Sequence, residues 1–316
     1  MTPRERALLA LLSGLRACGY RFVTPTPLTH GRVISREHKR SAQSLVDIFG
    51  WSLPFAADAV DPEIWQLMRA AEVLCEQADG WRSTVRVSSL DDQLYLHSAY
   101  PTAAADAVFF GPDTYRFCNF IAAELRASSQ LKEGLRMADI GCGSGAGGIF
   151  AARFLVKPQV LLTDINPAAL LLARVNAGAA NIAVETLRSD VLAQVPGRFD
   201  LLISNPPYLN DDQQRAYRHG GGALGFDLSL RIAEQALQRL NAGGRFLLYT
   251  GVAIVAGEDP FLQALKPLLA QSNCDWRYRE IDPDVFGEEL DRPCYRNADR
   301  IAAVGLVATK ESREDG

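Results

Sequence analysis

The sequence holds few cysteines and arranges them in no pattern. The six, at positions 18, 75, 118, 142, 274 and 294, form no Cys-x-x-Cys pair and no Cys/His cluster at zinc spacing. Reduced thiols in a cytoplasmic protein are therefore expected. The four histidines, at 30, 38, 97 and 219, form no metal motif either, so no metal is expected. No apolar run approaches the ~20 residues that span a bilayer, and no membrane partner is expected. Residues 7–12 (ALLALL) follow Arg4 and Arg6 and precede Cys18, an order that faintly suggests a lipoprotein signal. The run is short and Arg16 interrupts the approach to Cys18, so an amphipathic first helix with Leu8, Leu11, Leu12 and Leu15 on one face is expected instead. Neither sign of charge dominates: the net charge of −4 argues against coating nucleic acid through a general basic surface. A local basic patch stays open. Internal repeats and low-complexity segments are absent.

What is present is an ordinary globular composition, long enough for one large domain or two smaller ones. Residues 1–100 read differently from the rest. Helices are predicted over about 3–18, near 41–50 and over about 61–78, the last on Ile64, Met68, Ala71 and Leu74. Between the first two lies a basic stretch, 21–40, with five Lys/Arg (Arg21, Arg32, Arg36, Lys39, Arg40) against one acid, Glu37. Strand-like runs at 83–88 and 93–98 flank Ser89-Leu90-Asp91-Asp92, which reads as a hairpin turn. Helices followed by a hairpin suit a winged-helix-like domain or a helical substrate-recognition cap, and the cap is preferred.

From about residue 130 strands and helices alternate. Strands are predicted at 136–140, 159–163, 183–187, 199–204, 245–250 and 301–308, with another near 276–281. Helices are predicted at about 145–155, 167–178, 229–240 and 260–271. The expected fold is α/β: a Rossmann-like, seven-stranded, mostly parallel sheet with helices on both faces, and an antiparallel end strand because no helix joins the last two strands. A smaller, mainly helical N-terminal domain (1–100) carrying a β-hairpin would precede the sheet domain (101–316). Residues 310–316 are charged and expected to fray.

Ala138-Asp139-Ile140-Gly141-Cys142-Gly143-Ser144-Gly145-Ala146-Gly147-Gly148 ends the first of these strands and opens a helix. Glycines there let backbone turn sharply and approach a ligand, and a helix N-terminus offers free N–H groups. Gly143-x-Gly145-x-x-Gly148 also satisfies the dinucleotide fingerprint, with Asp164 at a suitable distance, so NAD is a rival ligand. Asp139, two residues before the first glycine, suits a cationic ligand such as S-adenosylmethionine better than a pyrophosphate. Asp164 ends the next strand, where its carboxylate could accept both ribose hydroxyls, and Asp190 ends the third, where it could receive an adenine amino group. Each could instead be a helix N-cap.

The fourth strand, Phe199 to Ser204, delivers Asn205-Pro206-Pro207-Tyr208 to the carboxyl edge of the sheet. Two prolines stiffen the turn, and Asn before Pro is held extended. A conjugated nitrogen is a poor nucleophile because its lone pair is delocalised. The Asn205 side-chain carbonyl and the Pro206 backbone carbonyl could each accept one N–H, with bonds that strengthen as positive charge develops on the nitrogen. They would also aim that nitrogen. Tyr208 could stack on the planar acceptor.

With these motifs in this order, the chain resembles the class I S-adenosylmethionine-dependent methyltransferases. Within them it most resembles the family that methylates the glutamine side-chain N5 of peptide release factors and a ribosomal protein. Phe110-Gly111-Pro112-Asp113-Thr114 is similar to that family's Pro-Asp-Thr segment, and Gly220-Gly221-Gly222-Ala223-Leu224-Gly225-Phe226-Asp227 to its glycine-rich loop after the catalytic tetrapeptide. The resemblance covers about 105–250. It implies an N-methyltransferase with Asn205, Pro206 and Tyr208 as catalytic residues. It implies S-adenosylmethionine as cofactor, held by Asp139, Gly141, Cys142, Gly143, Gly145, Asp164, Ile165, Asp190, Val191 and Asn205, with Thr114 enclosing it. Residues 1–100 do not clearly show the family's N-terminal helical bundle, and 275–298 is extra to it. The residues leave the acceptor open between a protein glutamine, which is preferred, a nucleic-acid base nitrogen (adenine N6 or guanine N2) and a small molecule. The loop at 217–226 reads equally as a mobile lid or a plain flexible loop.

Overall fold

Strands that are apolar on both faces need cover on both faces, and this sets the architecture. The structure, a computed structural model, describes residues 1–102, 104–127, 132–211, 215 and 217–312. The N-terminal part begins with α1 (Pro3–Ala17), closed by a Thr2/Glu5 capping box and burying Leu8, Leu11, Leu12 and Leu15. Then come α2 (Pro27–Ile34), α3 (Leu45–Phe49), α4 (Pro62–Ala70) and two hairpins, β1 (Leu74–Gln77) with β2 (Gly80–Ser83) and β3 (Val85–Leu90) with β4 (Gln93–Ser98).

Several sequence expectations shift here. The basic stretch contains α2, which starts on a Thr26 cap and Pro27. The helix expected over 61–78 stops at Ala70: Glu72 adopts φ 56, and Leu74 enters a strand paired with β2. The second hairpin turns at Asp91 and Asp92 alone, because Ser89 and Leu90 stay in the ladder opposite Leu94 and Gln93. It does not project as a wing. Every residue of β3 is buried, and both Leu96 backbone groups bond the Asn176 carboxamide, N–H to Oδ1 at 2.8 Å and Nδ2 to C=O at 3.0 Å.

The second part holds α5 (Pro112–Arg126), β5 (Arg136–Ile140), α6 (Ala146–Ala152), β6 (Gln159–Asp164), α7 (Pro167–Ala179), β7 (Val184–Arg188) and β8 (Phe199–Ser204). It continues with α8 (Asp227–Gln238), β9 (Leu240–Ile254), α9 (Pro260–Gln271), β10 (Cys274–Asp282) and β11 (Arg300–Lys310). The helix α5 has no counterpart in the sequence reading; its apolar residues are not confined to one stripe, and Asp113, Thr114 and Glu124 are buried as well. Residues 313–316, part of the end expected to fray, lie outside the described residues.

The seven-stranded sheet runs β10-β11-β9-β8-β5-β6-β7. Strands β9, β8, β5, β6 and β7 are parallel to their neighbours in that series. The last strand, β11, is antiparallel to both neighbours and inserts between β9 and β10 rather than adding at the edge. Alternate residues face opposite layers. Met137, Leu162, Ile203 and Leu247 pack with α5 and α6. Ala138, Leu161, Leu202 and Leu248 pack with α8 and α9. The helix α7 faces two ways: Leu170, Ala173 and Ala177 join the sheet core, while Ala169, Leu172 and Val175 complete the core of the N-terminal elements. Buried Glu5 pairs with the partly exposed Arg174 at 2.7 Å and ties α1 to the same helix. Among the described residues no helix is long and apolar enough to cross a membrane.

Candidate functional site

A cleft of about 370 Å³ opens at the carboxyl ends of β5, β6, β7 and β8, where open α/β sheets place their ligands. The loop after β5 forms its floor. Gly141, Gly143 and Gly145 take φ of 68°, 53° and 79°, the left-handed region where a side chain is strained. At Gly141 and Gly143 nothing lies close to where a Cβ would stand, so the backbone itself faces the cleft. Gly145 differs from expectation: it does not line the cleft but backs onto Ala173 and Ile149, making the turn that starts α6. Gly147 and Gly148 let α6 lie against Phe117 and Leu162.

Three carboxylates were expected in the site. Asp139 is buried at the end of β5, and its Oδ2 accepts the Gly148 N–H at 2.7 Å. Burial lifts its pKa to about 7, the nearby Asp164 charge adds to this, and the Gly148 hydrogen bond opposes it. Asp164 accepts the Gly143 N–H on Oδ2 and the Asn166 N–H on Oδ1, both at 2.9 Å. Burial pushes it upward too. Its remaining lone pairs border the cleft, next to Ile165, an apolar side chain left 52% exposed. Asp190 sits at the rim, gripped on both oxygens by Arg231 of α8 at 2.7 and 3.1 Å. Sequence reasoning gave Asp190 no such partner. Val191, beside it, carries a branched side chain at φ 53, a costly conformation of the kind that clusters at functional sites. Cys142, Val191 and Thr114 also line the cleft, and Thr114 Oγ1 accepts the Gly111 N–H that opens α5.

The tetrapeptide after β8 forms the opposite wall. Ser204 anchors it by donating to the Ile140 carbonyl at 2.7 Å. Asn205 is half-buried at the cleft, and its carboxamide makes no hydrogen bond within the described residues; neither does the Pro206 carbonyl. Tyr208 is more constrained than the sequence suggested. Its ring lies where any side chain on Gly251 would stand and meets Phe286 edge-on at 5.9 Å. Its hydroxyl donates to Asp113, which also accepts the Tyr249 hydroxyl at 2.9 Å and Arg116 at 3.2 Å. Burial raises the pKa of Asp113 against those partners.

Sequence reasoning missed Asp113 as a support and Phe286 as a wall. Asp113 lay in plain view within Pro112-Asp113-Thr114. Phe286 belongs to the segment 275–298, which has no period that would reveal its placement. That segment braces the site: the Tyr295 hydroxyl accepts the Asn210 N–H at 2.8 Å, and Glu289 pairs with Arg218. The loop at 217–226 is seated on the cleft. The rings of Tyr217 and Phe109 are parallel within 7° at 6.5 Å, and the Tyr217 hydroxyl donates to the Thr102 carbonyl at 2.5 Å.

A cationic, ribose-bearing ligand fits this arrangement: bare glycine backbone, two acids on adjacent strand ends, and apolar rims. The sequence profile of the family described as "Methyltransferase small domain" matches residues 119–254. The chain is 33% identical over 162 residues to a release factor glutamine methyltransferase of Koribacter versatilis, covering 47% of this chain and 54% of that protein. It is 32% identical over 198 residues to one from Deinococcus radiodurans, covering 60% and 66%. It is 31% identical over 109 residues to ribosomal RNA small subunit methyltransferase C of Erwinia tasmaniensis, covering 34% and 29%. The chain thus spans between about half and just under two thirds of the release-factor relatives' length. Residues 119–254 thus match a methyltransferase domain family, and the chain is similar over part of its length to release factor glutamine methyltransferases and to a ribosomal RNA methyltransferase.

Proposed function

We propose that this protein methylates a planar, conjugated nitrogen, and that the side-chain amide of a protein glutamine is its acceptor. The observation that carries the reading is the pair of unused acceptors, the Asn205 carboxamide oxygen and the Pro206 carbonyl, side by side on the cleft wall. A primary amide offers two N–H donors in one plane, which matches two adjacent acceptors. S-adenosylmethionine, when bound, supplies an electrophilic methyl group on a cationic sulfur. Asp164 takes its ribose hydroxyls, Asp139 its positive end, and Ile165 with Val191 and Cys142 the adenine surroundings, near Asp190. Asn205 and Pro206 hold the acceptor amide and stabilise the positive charge that grows on its nitrogen. Tyr208, held by Asp113 and Phe286, gives the acceptor a fixed aromatic wall. Residues 1–100 serve recognition of the substrate, and 101–316 form the cofactor-binding domain.

The glutamine reading is supported by the longer match to relatives of that name, 162 and 198 residues against 109 for the ribosomal RNA relative. Base methylation is the second reading, favoured by the exposed arginines of α2 and the turn after it. The test is incubation with methyl-labelled cofactor and cell lysate, followed by protease or nuclease digestion. The glutamine reading requires the label to become small after protease. Label released by nuclease alone sinks it.

A further inference from the structure

The basic stretch takes no part in the cleft described above. Arg32, Arg36 and Arg40 are exposed on α2 and on the 3-10 turn at Glu37–Lys39 and its flanks. Among the described residues none of the three is in an ion pair. Lys39, by contrast, is taken by Asp47 at 2.5 Å, and Arg21 donates to the Asp91 carbonyl. The chain as a whole is slightly acidic, so this is a local concentration of charge. Thr29, Ser35 and Ser41 are exposed among the arginines, with the Ser35 hydroxyl donating to the Arg32 carbonyl and that of Ser41 to the Pro54 carbonyl.

A series of contacts links α2 to the rim of the cleft. His30 of α2 packs on the Tyr100 ring at 4.0 Å. Two residues further on, the Thr102 carbonyl accepts the hydroxyl of Tyr217, which lines the cleft.

We propose that this face docks RNA, with Arg32, Arg36 and Arg40 on successive phosphates, while the acceptor group enters the cleft. A guanidinium presents a planar fork of donors that matches phosphate oxygens, and hydroxyls are common phosphate partners. Three unpaired guanidinium groups within nine residues of chain are satisfied together by a strand that carries one charge per nucleotide; the carboxylates of an acidic protein are spaced irregularly. A bilayer surface is disfavoured because α2 has only eight residues and a single large apolar side chain exposed on it, Leu28. The inference goes beyond the assignment of the acceptor, since a glutamine on an RNA-bound protein and a base nitrogen would both be presented this way.

The test is binding of the full chain to a fluorescently labelled RNA stem-loop, followed by anisotropy over a salt series without cofactor. Binding that weakens with salt is expected. The Arg32→Ala, Arg36→Ala, Arg40→Ala triple variant should lower the log–log salt slope by about 2 to 3 and weaken binding at low salt by at least about tenfold. The corresponding triple Lys variant keeps the charge and should restore most of the slope. Unaltered thermal melts would show that the variants fold. No RNA binding by the wild type, or an unchanged slope in the Ala variant, overturns the proposal. Equal binding of polyglutamate, with full competition against the RNA, also overturns it, in favour of an acidic protein. Methyl transfer plays no part in the assay, so this inference and the glutamine reading fail independently.

Discussion

With Asp139 at the positive end of the cofactor, as proposed, cofactor affinity should depend on pH. Its carboxyl is buried at the end of β5 with one oxygen on the Gly148 N–H. Burial, followed by the charge of Asp164, raises its pKa to about 7. A cationic ligand favours the ionised form. Affinity for S-adenosylmethionine should therefore be level above about pH 7 and fall below it by up to about tenfold per pH unit, or about 1.4 kcal/mol. A carboxyl with an ordinary pKa near 3.9 would leave affinity flat down to about pH 5. The ligand-free protein should show the opposite trend. Because the folded pKa is raised, the stability contributed by the neutral form is complete below about pH 4 and is lost as pH rises through about 7. Asp164 is also shifted upward, so the Asp139→Asn variant assigns the effect. It should bind the cofactor more weakly above about pH 7 and show a flatter profile below it. Isothermal titration calorimetry across about pH 5 to 8.5, with thermal melts of the ligand-free protein, provides both readings. A flat wild-type affinity profile, or an Asn variant that keeps the full slope, would refute the reasoning.

Further consequences are open to test. Asn205→Ala should lower turnover by about 10²- to 10³-fold or more while cofactor affinity hardly changes; single-turnover rates beside calorimetric affinities check this, and retained activity removes Asn205 from the chemistry. Asp164→Ala should weaken cofactor binding by a few kcal/mol at most, about the scale of its charged hydrogen bonds. Since Asp164 also holds the Gly143 and Asn166 N–H groups, Asp164→Asn should lose less, and unchanged affinity in both would place the ribose elsewhere. Asn176→Ala leaves the buried Leu96 backbone groups and the Ser144 carbonyl without the side-chain bonds they now make. It should cost roughly 2–4 kcal/mol in chemical denaturation, and a loss under about 0.5 kcal/mol would show that hairpin and α7 are held by apolar packing instead.

The site was more legible than its supports. Glycines at 141 and 143 announced a backbone bare to a ligand, because few other residues tolerate φ near +60°, and both face the cleft. Gly145 has the same conformation but serves packing against Ala173; spacing alone does not separate a glycine that meets a ligand from one that meets a helix. The position of Asn205 at the end of an apolar strand placed it at the sheet edge. The clamp on Tyr208 joins residues 113, 208, 249, 251 and 286, which lie far apart in sequence. Similarly, the helix predicted to run through 71–78 lost its second half to a strand pairing, because Leu74 and Ser83 are partners across a tight hairpin that helical periodicity does not register.

By itself the sequence determined the alternation of strand and helix, the parallel core of the sheet and the residues at its carboxyl edge. These follow from local terms: two-sided apolar runs, helix caps, and backbone conformations that only certain residues adopt. Only the tertiary structure decided where β11 enters the sheet, that Arg231 grips Asp190, that segment 283–299 walls the cleft beside Tyr208, and that α7 is shared by two cores. Each of those depends on burial and charge pairing between residues brought together by folding, where the energy lies in the contact and neither partner carries a local sign of it.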